Sequence, residues 1–189
     1  MKLLTFGCSF TEPDNGWPYR LGQLINCEVV NKGKGGVGNF YIANQVYNTV
    51  HVHNECEYQV HFNCDDSLVV VMWSGIRPVT SYIQTLHYML GVQEFLSNRD
   101  IPYLFLTHRD IFTNRYGKYK RAKKLEANIT WDKFHFTNGY FGGMEEWVKD
   151  HKLHPRLKFA KDFFHPSIKM HHKFAEYLYN LEEYTYLFK

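Results

Sequence analysis

Short apolar runs and helical repeats take turns along this chain. Met1 to Phe6 reads as a short buried strand, and a helix is expected near Trp17 to Ile25. Glu28 to Val30 is a second short strand, ending at the glycine-rich stretch Asn31-Lys32-Gly33-Lys34-Gly35-Gly36-Val37-Gly38-Asn39. A helix follows from Asn39 to about His51. Ser67 to Trp73 holds Leu68-Val69-Val70-Val71-Met72, an unbroken apolar run that suits a parallel strand buried on both faces. Ile83, Leu86, Leu90 and Phe95 recur on one stripe of a helix from about Ser81 to Asn98. Ile101 to Thr107 is the next strand. His165 to about Leu181 reads as a closing helix, with Pro166 in its first turn. Strands alternating with helices predict an α/β fold, a three-layer α/β/α sandwich around a central parallel sheet.

Phe112 to Lys161 breaks this rhythm. It is rich in aromatic residues, lysines and glycines and has weak periodicity. We read it as an excursion, at about 112–161, that walls or covers a pocket, with a helix around Met144 to Asp150. No internal repeat and no low-complexity linker divides the chain, so residues 1–189 read as one domain.

Composition narrows the function classes. With 44% hydrophobic and 17% aromatic residues, the chain has the makeup of a globular protein with a heavy ring content. A formal net charge of +3 is too small to point to nucleic acid by itself. No apolar run reaches the roughly 20 residues that span a bilayer, and the first residues lack signal-peptide architecture, which points to a cytoplasmic protein. The compact size suits a phage or bacterial genome. The four cysteines, Cys8, Cys27, Cys56 and Cys64, then read as reduced thiols. His51, His53, Cys56, His61 and Cys64 are dense in metal-ligand types. Their spacing matches no structural zinc pattern, so no metal is assigned. Arg115 to Lys124 interleaves basic and aromatic residues, which reads as a solvated face first and a polyanion or nucleic-acid site second.

Two short stretches carry candidate chemistry. Gly7-Cys8-Ser9-Phe10-Thr11 places a serine where the first strand ends, the edge at which open α/β folds put their sites. Asp162-Phe163-Phe164-His165-Pro166 sets an aspartate three residues before a histidine. A serine hydroxyl needs a base within hydrogen-bond reach, and the base needs an orienting partner. Each residue also has an ordinary reading: Ser9 as a turn residue, His165 as a helix-terminal residue, Asp162 as a solvated charge. His154-Pro155 echoes the second stretch but has His151 three residues before it, and His171 and His172 lie deeper in the last helix, so His165 is preferred.

In order and spacing these stretches resemble the first and last motifs of the SGNH (GDSL-like) hydrolases, and Asn31 to Asn39 resembles the second. The resemblance implies the flavodoxin-like fold of that family and a serine hydrolase cleaving an acyl or acetyl ester of a small molecule or carbohydrate. It implies Ser9 as nucleophile, His165 as base and Asp162 as its orienting acid. Backbone N–H groups of Ser9 and Gly36 would form the oxyanion hole, and no cofactor is needed. Cys8 stands where the family has a variable acidic residue. The third motif departs further. Ile76 of Ser74-Gly75-Ile76-Arg77 stands where the family has an oxyanion-hole asparagine, and isoleucine donates no hydrogen bond. Either Ser74 or Arg77 substitutes or the hole is one donor short, and Arg77 is also a candidate clamp for an anionic substrate group. Tyr116, Trp131, Phe134, Tyr140 and Trp147 are candidates for stacking on sugar rings, which predicts exposed rings near Ser9. Two alternatives stand beside the enzyme: a binding or structural module that has lost catalysis, and a polyanion or nucleic-acid binder working through residues 115–124.

Overall fold

Four strands hydrogen-bond side by side in the order β2-β1-β3-β4, and every neighbouring pair is parallel. They are β1 (Lys2–Phe6), β2 (Glu28–Asn31), β3 (Ser67–Trp73) and β4 (Tyr103–Thr107). The structure, a computed structural model, describes residues 1–51, 67–75, 80–113, 120–137 and 141–188. The sheet is pinned by registers such as Leu3 opposite both Val29 and Leu68, and Val69 opposite Tyr103.

The strand side chains alternate between two cores. Leu4, Phe6, Val69, Val71, Trp73 and Phe105 face α2 (Asn39–His51) and α3 (Thr80–Ser97), meeting Ile42, Val46, Leu86 and Val92. Leu3, Leu68, Val70, Met72, Leu104 and Leu106 face α1 (Trp17–Leu24), α5 (Met144–Asp150) and α7 (Ile168–Tyr179), meeting Trp17, Leu21, Val148 and Phe174. All seven residues of β3 and all five of β4 are buried, as their continuous apolar runs require. Each large apolar side chain so buried contributes about 1.5–3 kcal/mol. Helices on both faces make the three-layer α/β/α architecture expected from the alternation of strands and helices.

Helix α1 starts with Pro18 inside its first turn and stops where Asn26 turns left-handed at φ 51°. The sheet order reverses between β1 and β3, so the crevice at their carboxyl ends is the topological switch point of the fold.

Residues 112–161 include α4 (Lys120–Glu126) and α5, as well as α6 (Pro155–Lys158). Phe134 makes a parallel bridge to Phe105, and the His135 N–H donates to the Phe105 carbonyl (2.9 Å). This segment therefore lies along β4 and satisfies backbone groups that an open edge would leave exposed. On α4, Lys120, Arg121, Lys123 and Lys124 are exposed and Ala122 is buried. Residues 115–119 of the basic run lie outside the described residues. Among the described residues, no helix is long and apolar enough to cross a membrane.

Candidate active site

The turn after β1 is built by a close approach that only glycine permits. A Cβ on Gly7 would fall 2.8 Å from Thr11 Cβ, and the N–H groups of Thr11 (2.8 Å) and Glu12 (3.2 Å) both donate to the Cys8 carbonyl. This tight turn lifts Ser9 to the half-exposed carboxyl edge of the sheet while Cys8 and Phe10 are buried on either side of it. Burial pushes the Cys8 thiol upward from its ordinary range, so it stays protonated.

The histidine arrives from a loop rather than from a helix. The expected closing helix begins only at Ile168, with Ser167 as its N-cap, not at His165. Pro166 explains the difference: it disfavours the helical region for the residue before it, and here it bridges to Phe159 in extended fashion. The Ala160 N–H donates to the His165 carbonyl (2.8 Å) and the Ser167 N–H to the Lys158 carbonyl (2.8 Å). Between them the chain makes a tight turn through Phe163, at φ 56°. Asp162 Oδ1 closes this turn by accepting from the N–H groups of Phe164 (2.9 Å) and His165 (3.0 Å).

The turn brings three sequence-predicted residues together. His165 Nε2 lies 2.8 Å from Ser9 Oγ, and His165 Nδ1 lies 2.6 Å from Asp162 Oδ2. The hydrogen bond from the His165 ring, and then the two backbone donors, hold the Asp162 carboxyl down at about 2, so it is ionised at neutral pH. An ionised acceptor at Nδ1 keeps the ring proton there and leaves Nε2 free to accept from the serine hydroxyl.

The glycine-rich stretch after β2 is laced to the turn after β1. Asn31 Nδ2 donates to the Thr11 carbonyl (2.7 Å), and Asn31 Oδ1 accepts from Thr5 Oγ1 (2.9 Å) and the Gly33 N–H (2.9 Å). The Lys34 N–H donates to the Gly7 carbonyl (3.1 Å). Gly36, at φ 72°, then lines the same cleft as Ser9. Ser74 also lines it, but both of its backbone groups are held by Asn39. The Ser74 N–H donates to Asn39 Oδ1 (2.7 Å), and Asn39 Nδ2 donates to the Ser74 carbonyl (3.1 Å). Ile76 and Arg77 lie outside the described residues.

The cleft at Ser9 has a volume of about 540 Å³. A larger one, about 710 Å³, is bordered by Phe136, Phe141, Glu183 and Tyr186 and contains none of the three residues above, so size does not identify the reactive site here. The expected row of stacking rings is not found among the described residues of the Ser9 cleft. Trp131 packs against Phe112, Phe134, Phe136 and Phe141, with ring centres 5.1–6.0 Å apart. Phe134 is buried in the core, and Trp147 packs on Phe174 and Tyr177. Apolar burial claims these rings before any ligand. The rings at the cleft are Phe10, 5.5 Å from the His165 ring, and the half-exposed Phe164. Tyr116 and Tyr140 lie outside the described residues, as do residues 52–66 with His53, Cys56, His61 and Cys64. Among the described residues, no group of three or more His, Cys, Asp or Glu side chains is placed to hold a metal ion.

Two further residues line the cleft, and the motifs did not single them out: His108 and Arg109. They follow β4 directly, and the rule that parallel strands present their sites just past their carboxyl ends would have flagged them. His108 is buried, 4.9 Å from the Phe10 ring. Burial first, and then the neighbouring Arg109 charge, push its imidazole down to about 4, so it is neutral.

Solved structures that share this fold include proteins of the G-D-S-L family. One, named as a lipolytic protein from Desulfitobacterium hafniense DCB-2, superposes with a TM-score of 0.61 at 18% identity, covering 94% of this chain and 97% of that one. A lipolytic-family member from Veillonella parvula DSM 2008 gives 0.58 at 15% identity, over 96% and 98% of the two chains. The acetyl xylan esterase AlAXEase gives 0.58 at 13% identity, over 96% and 100%. No family model matches the sequence, and no curated protein does. The chain has the fold of the SGNH/GDSL hydrolases over nearly its whole length.

Proposed function

We propose that this protein is a serine hydrolase that cleaves an acyl or acetyl ester of a small molecule or carbohydrate. The observation that supports it most is the unbroken relay from Ser9 Oγ to His165 Nε2 (2.8 Å) and from His165 Nδ1 to Asp162 (2.6 Å). The esterases among its structural neighbours, an acetyl xylan esterase included, support the same reaction class.

Ser9 Oγ attacks the ester carbonyl while its proton passes to His165 Nε2. The Asp162 carboxylate stabilises the imidazolium that forms. The tetrahedral oxyanion is held by the N–H groups of Ser9 and Gly36; each such donor contributes about 3 kcal/mol. Collapse breaks the carbon–oxygen bond, and the alcohol leaves with the proton from His165. Water then attacks the acyl–Ser9 ester with His165 again as base, releasing the acid and restoring the serine hydroxyl. A fluorophosphonate probe tests the reading. Labelling of the folded protein that disappears in Ser9→Ala, together with ester turnover, is expected. A folded protein that neither labels nor turns over short acyl esters between about pH 6 and pH 9 would refute it.

A further inference from the structure

We propose that the cleft beside Ser9 selects esters carrying an anionic oxygen group, a carboxylate or a phosphate, and that Arg109 is the residue that holds it. The inference rests on the serine-hydrolase reading for the reacting centre and adds the chemical class of the substrate.

Arg109 stands two residues beyond β4 and lines the same cleft as Ser9 and Gly36. Its guanidinium is laid against the end of β3. A Cβ on Gly75 would fall 2.5 Å from Arg109 Nε, 2.7 Å from its Nη2 and 2.6 Å from His108 Cε1, so the bare Cα of Gly75 is what lets the planar group settle there beside the His108 ring. The side chain is half-buried, and among the described residues no carboxylate lies within ion-pair distance of it.

Most carboxylate oxygens near it are already engaged. Glu146 Oε2 accepts from the N–H groups of Gly143 (2.8 Å) and Asp110 (3.2 Å), and Asp110 Oδ1 accepts from those of Phe112 (2.9 Å) and Thr113 (3.0 Å). Glu145 Oε1 pairs with Lys149 while its buried Oε2 has no hydrogen-bond partner, and Asp162 pairs with His165. No acidic side chain lines the described part of the cleft. A half-buried guanidinium with no anion of its own among the described residues, facing a cleft that opens beside a nucleophile, is complementary to an anion on the ligand. Its fork of N–H donors matches two oxygens of a carboxylate or phosphate at once, which a lysine ammonium does not.

Matched ester pairs test this. Para-nitrophenyl butyrate against para-nitrophenyl hemisuccinate places the charge in the acyl part. Phenyl acetate against para-acetoxyphenyl phosphate places it in the alcohol part. In at least one pair the anionic member is expected to be preferred by about tenfold or more in kcat/KM, expressed in KM, as charge-assisted hydrogen bonds of this kind allow. Arg109→Gln removes that preference, and Arg109→Lys keeps part of it. Gly75→Ala, which keeps the charge but displaces the guanidinium, also removes it.

Equal use of both members in both pairs overturns the proposal. So does an Arg109→Gln variant that loses the neutral and the anionic ester alike, which would make the guanidinium a general support of the reacting centre. If no ester is turned over and Ser9 does not label, the hydrolase reading fails separately. Calorimetric binding of succinate and phenyl phosphate to Ser9→Ala then decides the anion site alone. Binding that Arg109→Gln abolishes upholds it, and absence of binding overturns it.

Discussion

Asp162 does two jobs with one carboxylate. Oδ1 closes the turn by accepting from two backbone N–H groups, and Oδ2 accepts from the His165 ring. These bonds favour its charged form, which depresses its titration from 3.8 to about 2. A depressed carboxyl contributes stability that is present above its unfolded value and lost as pH falls through the folded one, so this contribution is complete at neutral pH. Carboxyl NMR titration is expected to find Asp162 near 2 in the native protein, moving up toward 3.8 in His165→Ala. Asp162→Asn should lower kcat by about 10²- to 10⁴-fold with little change in KM, because an amide does not hold the Nδ1–H tautomer. Steady-state kinetics on a short acyl ester, at matched native circular dichroism, measures this.

The cleft also depends on how elements are tied to one another. Asn39, the first residue of α2, accepts from the Ser74 N–H and donates to the Ser74 carbonyl and to Thr85 Oγ1 (3.0 Å). One buried side chain thus fastens α2, α3 and the end of β3, and so sets the cleft's width. Asn39→Ala leaves the Ser74 N–H without a partner and should cost about 1–3 kcal/mol, read from urea denaturation. The strands and long helices could be placed from the sequence because burial imposes its own periodicity: β3 runs over Ser67–Trp73 and α3 over Thr80–Ser97, within a residue of the ends their apolar spacing indicates. The start of α7 could not. Ile168 and His165 are both compatible with a helical repeat, and the choice between them was made by Pro166 and by backbone bonds to Lys158 and Ala160.

Among the described residues three histidines are buried, His108, His135 and His171, and burial lowers the titration of each. His108 sits at the carboxyl edge of the sheet, and His171 packs between α7 and the start of α1, where its Nδ1 accepts from the Trp17 N–H (3.4 Å). Burial, the largest cause in each case, pushes both from 6.5 down to about 4. Between those two values the unfolded chain binds more protons than the folded one, so stability rises with pH across this window and falls on acidification. The full window is worth on the order of 3 kcal/mol per histidine. Thermal unfolding is expected to drop by on the order of 10 °C between about pH 7 and pH 5. His171→Asn, which keeps an acceptor for Trp17, should make that slope shallower without abolishing it, because His108 and His135 still contribute.

The order of strands and helices, the serine after β1 and the Asp-x-x-His stretch were all legible in the chain, because each follows from local periodicity or from motifs a few residues long. Where Trp131, Phe134 and Trp147 would point was not, since a ring's preference for a core or for a cleft depends on which distant surfaces meet it. Arg109 could be flagged only as a residue just past β4: its place beside Ser9 depends on Gly75, 34 positions earlier, offering no side chain where β3 and β4 end together. The relay itself was also a tertiary decision. A turn at Gly7 and a turn at Phe163, more than 150 residues apart, are both local structures, and only the packed sheet and α7 hold Ser9 and His165 at 2.8 Å.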